Sequence, residues 1–353
     1  MTLSNSTPTA PVSMPDKTMR DAPTMEAPKT EPAAAPLIET HNASVHFGKT
    51  VALQELSLTV PQGTIFGLIG PSGCGKTTTV RLLAGLYKPT EGEVRVLGEI
   101  PTQFKMETRE RIGYMPQQFV LYPQLSVWEN LNFVASLYGM PLLKRNNRLN
   151  ELLDFVELRN HKRKLGSQLS GGMQRRLAVA AALVNQPTLI FADEPTAGID
   201  PVLRAKFWEN FRALREQGCT LFVTTQYVGE AAHCDYVGVM REGRLLHLDT
   251  PENLRRKALG GEVIRLVVDT PHVRDALVRL DAHPAVNQVQ RSYREPGQLF
   301  VYTDDAATTL PTLVTHLDSG SGIQVRSIDK YEPPFDDVFV NLVKTDEAKW
   351  ENN

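Results

Sequence analysis

The chain has 353 residues, 41% of them hydrophobic, and a formal net charge of −2. That length allows about two domains, and the apolar share excludes a mainly disordered chain. The near-neutral balance excludes an overall field that would draw the protein to nucleic acid or anionic lipid.

The three cysteines, Cys74, Cys219 and Cys234, show no CxxC pairing and fit a reducing cytosol better than a disulfide framework. No apolar run approaches the ~18–20 residues needed to span a bilayer. The longest, LAVAAALV (177–184), reads as a buried helix segment. With no apolar signal-peptide core at the N-terminus, the chain is expected to be neither exported nor inserted. A role at a membrane then requires a partner.

Residues 1–36 are rich in Pro, Ala and Thr and read as a disordered tail, with tethering as the alternative. From Leu37 the texture changes. LIETHNASVHF, VALQELSLTV and TIFGLIG read as three strands broken by Gly and Pro. After Gly75 the pattern turns helical in KTTTVRLLAGLYKP, and residues 119–165 are helix-rich. SVWE (126–129) is a capping box, and Leu131, Val134 and Leu137 are expected on one helical face. The basic stretch LLKRNNRL (142–149) reads as a solvated helix face, with lipid headgroups as the alternative contact. TLIFAD (188–193) and TLFVTT (220–225) read as buried parallel strands. Strands alternating with helices predict an α/β fold with a largely parallel, helix-covered sheet.

A second unit is expected from Gly261. EVIRLVVD is a strand, and TPHVRDALVRL a helix with Thr270 as N-cap and Pro271 at its first position. VNQVQRSY and QLFVYT are strands joined through Glu295-Pro296-Gly297. DAATTLPTLVTHL is a helix interrupted by Pro311, and GIQVRSID is a strand. FDDVFVNL sets Phe335, Val338, Phe339 and Leu342 on one helical face. This order predicts a small α+β ferredoxin-like domain. The expected organisation is therefore a tail (1–36), a main domain (37–260), an accessory domain (261–345) and a closing tail (346–353).

GPSGCGKTT fits G-x-x-x-x-G-K-[ST] between a strand and a helix. The cradle comprises Gly70, Pro71, Ser72, Gly73, Cys74, Gly75, Lys76, Thr77 and Thr78. Its glycines Gly70, Gly73 and Gly75 permit backbone conformations closed to other residues, so that successive N–H groups turn toward a β-phosphate at a helix N-terminus. Lys76 adds a point charge on the β- and γ-phosphates, the Thr77 hydroxyl suits Mg²⁺, and Thr78 supports the α-phosphate. Cys74 reads as a small spacer. Further on, Asp193 and Glu194 end a buried strand. One acid suits Mg²⁺ through water, and the other suits polarising an attacking water. Between these motifs, LSGGMQRR (169–176) opens a helix with Ser170, Gly171 and Gly172, a second anion site. A second cradle makes sense if it serves a phosphate held by another chain.

With these motifs in order, the chain resembles the nucleotide-binding subunit of an ATP-binding cassette (ABC) transporter over about residues 37–260. LSGGMQ resembles the family signature, with Met173 inside the usual run before Gln174. The Asp193–Glu194 strand resembles its Walker B motif. AGID resembles its D-loop, ending in Asp200. Gln117 resembles the Q-loop glutamine that reaches Mg²⁺ and senses the transmembrane partner, and Phe47 sits where the family stacks an aromatic on adenine. The resemblance implies a P-loop NTPase fold, ATP and Mg²⁺ as cofactors, and a head-to-tail dimer, homo or hetero. It implies a transmembrane permease that holds the chain at the cytoplasmic face of the membrane, and no nucleic acid. The second unit, ending in PPFDDVFVNLV, resembles the tail domain of exporter ATPases of the daunorubicin-resistance type, which implies export of a drug or lipid.

The family's switch histidine is replaced here by Gln226, after TLFVTT. An amide donates to a phosphate oxygen as imidazole does, but carries no charge near neutral pH. Gln226 is therefore expected at the γ-phosphate, with His233 as the substitute if it is not. Two other readings stand beside the exporter: a soluble ABC ATPase at ribosomes or DNA, and a regulatory cassette that hydrolyses slowly because of Gln226.

Overall fold

The computed structural model describes residues 36–293, 295–318 and 323–350. The tail expected over 1–36 lies outside the described residues, apart from Pro36. Strands β1 (Ile38–Phe47), β2 (Thr50–Val60) and β3 (Ile65–Ile69) come first, then helix α1 (Lys76–Leu83) and strand β4 (Glu91–Val96). β1 pairs antiparallel with both β2 and β4 in a small sheet. Next come α2 (Met106–Glu110), β5 (Ile112–Met115), α3 (Val127–Leu137), α4 (Leu142–Phe155) and α5 (Gly171–Ala182). β6 (Leu189–Asp193), α6 (Pro201–Glu216), β7 (Thr220–Thr225), β8 (Tyr236–Arg241) and β9 (Arg244–Asp249) complete the main sheet. Its order is β5-β6-β7-β3-β8-β9, parallel except for the last pair.

β3, β6 and β7 are buried at every residue, as central strands covered on both faces should be. Phe222 stacks on Phe66 at 5.1 Å and meets Phe191 edge-on at 5.9 Å. Each such burial is worth ~1.5–3 kcal/mol. Together they hold a register that sets Asp193 beside Thr224 and Ile69 beside Thr225. Three strand ends, each followed by a predicted motif, therefore lie side by side. The carboxyl ends of such strands are where open α/β sheets bind ligands.

In α3 the capping box forms: the Glu129 N–H donates to Ser126 Oγ, and the Ser126 N–H to Glu129 Oε2. The buried stripe is Val127, Asn130, Leu131 and Ala135, and Leu137 is 70% exposed. Each three-residue step falls ~60° short of a full turn, so Leu137 has rotated off the face on which it was expected. Asn130 is wholly buried and bonds the backbone of Tyr122, Leu125 and Ser126, fixing the loop beyond Gln117. In α4, Arg145 donates to Met140 O and Arg148 to Leu183 O, so both guanidinium groups serve the helical layer.

Helix α7 (Pro251–Leu259) leads into β10 (Glu262–Val268), α8 (Val273–Asp281), β11 (Gln288–Arg291), β12 (Gln298–Thr303), α9 (Ala306–Asp318) and β13 (Val325–Tyr331). The sheet order β11-β12-β10-β13, antiparallel throughout, is the ferredoxin-like arrangement. Two local expectations differ. Thr270 lies inside a short 3-10 turn (Thr270–His272), and α8 starts only at Val273. Pro311 does not interrupt α9, because the stripe that buries Ala306, Leu313 and Leu317 continues past it. That packing outweighs the ~3 kcal/mol a helical proline costs.

The last helix, α10 (Phe335–Trp350), runs into the segment expected as a closing tail. It buries Phe335, Val338 and Leu342 in the core of the main domain with Ala231, Cys234 and Leu254, and not in the core of the accessory sheet.

Candidate functional site

A cavity of about 560 Å³ opens at the carboxyl ends of β3 and β6, lined by Ser72, Lys76, Thr77, Gln117 and Glu194 among others. The loop leaving β3 needs glycine for two different reasons. Gly73 and Gly75 hold φ of +82° and +107°, where side chains are strained. Gly70 has no such φ; a Cβ there would stand 2.2 Å from the Met240 carbonyl oxygen. Its requirement is space, which corrects the conformational reason expected for it. Cys74 is buried against this turn, and burial pushes its thiol pKa up despite Lys76 nearby, as a neutral spacer requires.

Lys76 is 4% exposed. Its ammonium donates to the carbonyls of Gly70 (2.8 Å) and Pro71 (2.9 Å) and lies 3.6 Å from Glu194 Oε1. Thr77 Oγ1 donates to Asp193 Oδ1 at 3.2 Å, and Thr224 Oγ1 donates to the same oxygen at 2.6 Å. Two adjacent acids thus face different ways: Asp193 toward the hydroxyls, Glu194 toward Lys76 and Gln117. Gln117 Nε2 donates to Glu194 Oε2 at 2.9 Å. Glu194 takes a φ of 47°, unusual for a non-glycine residue. Its N–H is held there by the carbonyl and the hydroxyl of Thr224, at 3.1 and 3.0 Å. Strain of ~1–3 kcal/mol maintained by its surroundings is common at reacting centres.

Gln226 is exposed at the rim, and Ser72 Oγ donates to its Oε1 at 2.8 Å. The structure brings it to the phosphate loop. His233 sits elsewhere: its ring lies 5.1 Å from Trp208, and its Nδ1 is 3.2 Å from an Arg212 nitrogen, both on α6. Burial and the Arg212 charge hold its pKa below the ordinary imidazole value. Phe47 is outside the cavity lining, 47% exposed and edge-on to Tyr87 at 5.2 Å. Its strand partner Thr50 does line the cavity.

The residues Ser170–Gln174 form a different surface. Ser170 caps α5 by accepting from the Met173 N–H, and a Cβ on Gly172 would stand 2.6 Å from Leu203. Asp200 caps α6 by accepting from the Leu203 N–H at 3.0 Å. Ser170, Gly172, Met173 and Asp200 border a second cavity of about 520 Å³, which shares no lining residue with the first. Gln174 turns inward, donating to Gly166 O. Arg175 of α5 links the two surfaces by donating to the carbonyl of Pro116, next to Gln117.

Thr224, Arg175 and Glu242 are among the site residues that escaped the sequence reading. Thr224 had its signal in the polar end of TLFVTT. Arg175, one place beyond the signature, and Glu242, in the β8–β9 turn at the cavity edge, had none.

A phosphate loop, an acid pair at the tip of the next strand but one, and an amide after each strand that flanks the acid pair define a P-loop nucleotide-binding cassette. The model of the ABC transporter family matches residues 53–197. The Nod factor export ATP-binding protein I of Cupriavidus pinatubonensis is 35% identical over 88% of this chain and 92% of its own length. The chain belongs to the ABC transporter family, among its ATP-binding subunits. It is also 35% identical to the probable multidrug ABC transporter ATP-binding protein YbhF of Escherichia coli, over 64% of this chain, and spans only 39% of that protein's length. Among solved structures, the ATP-binding cassette MJ0796, dimeric in a post-hydrolysis state with ADP and Pi, aligns with a TM-score of 0.56 and 30% identity. That alignment covers 60% of this chain and 98% of the cassette. Among the described residues no helix is long and apolar enough to cross a membrane.

Proposed function

We propose that this chain is the ATP-hydrolysing subunit of an exporter. It binds ATP with Mg²⁺ and dimerises on it with a second nucleotide-binding subunit, identical or not. It works at the cytoplasmic face of the membrane on a separate permease that exports a drug, a lipid or a similar substrate. The observation that carries this reading is the division of labour within one chain. Lys76, Thr77, Asp193, Glu194 and Gln117 meet around one cavity, while Ser170 and Asp200 border another. Head-to-tail pairing gives each phosphate loop the partner's signature helix. The cassette over 37–260 carries this chemistry, and the accessory domain follows from Gly261.

The residues fit the cofactors. Thr77 Oγ1 and Asp193 Oδ1, 3.2 Å apart, are hard oxygen donors of the kind Mg²⁺ takes, and Gln117 lines the same cavity as Thr77. The bound ion would neutralise charge on the phosphates. Lys76 and the amides at the start of α1 hold the phosphates. Glu194 polarises the attacking water. In this structure both of its oxygens are engaged, Oε1 by Lys76 and Oε2 by Gln117. Phosphates that draw Lys76 away release Oε1 for the water. Gln226, with Oε1 held by Ser72, keeps its amide N–H₂ for the γ-phosphate.

The slow regulatory cassette remains a second reading, because Gln226 supplies no titratable group. Hydrolysis measured with the membrane partner present separates the two. Co-expressed with its permease, the protein should sediment with membranes; recovery in a stable ribosome complex instead would sink the exporter reading.

A further inference from the structure

Gln226 is anchored from behind. The residue after it, Tyr227, turns its ring under the Arg204 guanidinium, 4.0 Å from its centroid. Three residues on, the Glu230 N–H donates to the Tyr227 carbonyl at 3.0 Å. Glu230 itself is 4% exposed, an unusual place for a carboxylate. Its Oε1 accepts from Thr196 Oγ1 at 2.7 Å and lies 3.5 Å from Arg204 Nε. Thr196 is wholly buried, two residues beyond Glu194. Arg204 stands on the first turn of α6, its N–H donating to the carbonyl of Asp200 at 2.9 Å. One buried carboxylate therefore joins three segments: the turn after the acid pair, the helix that Asp200 caps, and the segment that carries Gln226.

The geometry points to Glu230 as a positioning residue for ATP hydrolysis, holding Gln226 in register with Glu194 and with the Asp200 turn. This rests on the reading of Gln226 as the γ-phosphate contact. The placement has a mechanical content. A displacement of Asp200, which borders the proposed dimer surface, carries Arg204 with it through the α6 backbone. Arg204 bears on Tyr227 through its ring and on Glu230 through charge, so the displacement reaches the residue next to Gln226. Glu230 is not among the residues that line the phosphate-loop cavity. Its removal should leave nucleotide affinity alone and act on the chemical step.

A double-mutant cycle on the full chain with its permease tests this, reading kcat and KM for ATP. Glu230→Gln should lower kcat by roughly 2- to 30-fold, the range of couplings through such networks, and leave KM within about twofold. In a Gln226→Ala background the same change should cost less than about twofold, because its effect passes through Gln226. Equal losses in both backgrounds would overturn the proposal and leave the reading of Gln226 standing. Wild-type kcat in Glu230→Gln would do the same. A neutral Gln226→Ala would overturn both together. If Glu230→Gln does not fold, Tyr227→Leu at a half-buried position replaces it in the cycle, with the same outcomes deciding.

Discussion

Glu194→Gln separates two jobs of the wild-type carboxylate, pairing with Lys76 and polarising the attacking water. Glu194 Oε1 lies 3.6 Å from the Lys76 ammonium, and both side chains are buried. At an effective dielectric of ~20, charges at that distance attract by about 4–5 kcal/mol. Desolvation of a buried pair removes most of this, leaving a net tie of about 1 kcal/mol that ATP must break to recruit Lys76. The amide keeps the shape and removes both the tie and the base. ATP affinity should therefore rise by about fivefold, while turnover falls by about a hundredfold or more, the share of a general base. The mutant should accumulate as an ATP-bound dimer. Equilibrium binding of ATP, steady-state phosphate release and sedimentation of the dimer measure the three effects. Unchanged turnover would remove Glu194 from the role of base. Weakened ATP binding would refute the competition between Glu194 and phosphate for Lys76.

Three further outcomes follow from the geometry. Gln226→Ala should reduce turnover by about 10- to 150-fold, since a hydrogen bond to a charged group is worth ~1.5–3 kcal/mol; equal rates for the two proteins, measured with the permease, would take Gln226 out of the site. The pKa of His233 is held down by burial and by Arg212, so its neutral form is the one the fold favours. Its contribution to stability is then present above the ordinary imidazole pKa of ~6.5 and is lost as pH falls through that value toward the folded pKa; thermal melts between about pH 8 and 5 should flatten in His233→Phe, and an unchanged profile would contradict this. Val338→Asp, in the helix that closes on the main core, should lower stability by on the order of 3 kcal/mol or more, with loss of ATP binding at the new melting temperature; an unaffected cassette would mean that α10 does not contribute to its core.

The legibility of this chain follows the range of the interactions involved. The strands TIFGLI, TLIFAD and TLFVTT announce themselves because a strand buried on both faces must be apolar at every position. The phosphate loop is legible because its glycines, lysine and threonine act within one turn of chain. Thr224 shows only as a polar strand end; its role is not legible, since that comes from lying beside Asp193 in a parallel pair whose partner is far away in sequence. Arg204, Glu230 and Thr196 are invisible for the same reason. Pro311 misled because a local rule was outweighed by packing, and Leu137 because three-residue spacing drifts around a helix. The face of α10 was readable, but its destination was not: nothing in FDDVFVNL says which of two cores it will enter.

That destination has a consequence for how the protein is made. Helix α10 completes the core around Ala231 and Cys234, yet it leaves the ribosome only after the whole accessory domain. At ~5–20 residues per second, the ~100 residues between the two partners take on the order of 10 s to synthesise. Through that interval the segment behind Gln226 has its apolar side uncovered, and the accessory domain is free to fold first. A nascent cassette is thus kept from its finished form until the accessory domain has been translated, and a ribosome stalled before Phe335 holds a chain whose nucleotide site stands on an open core.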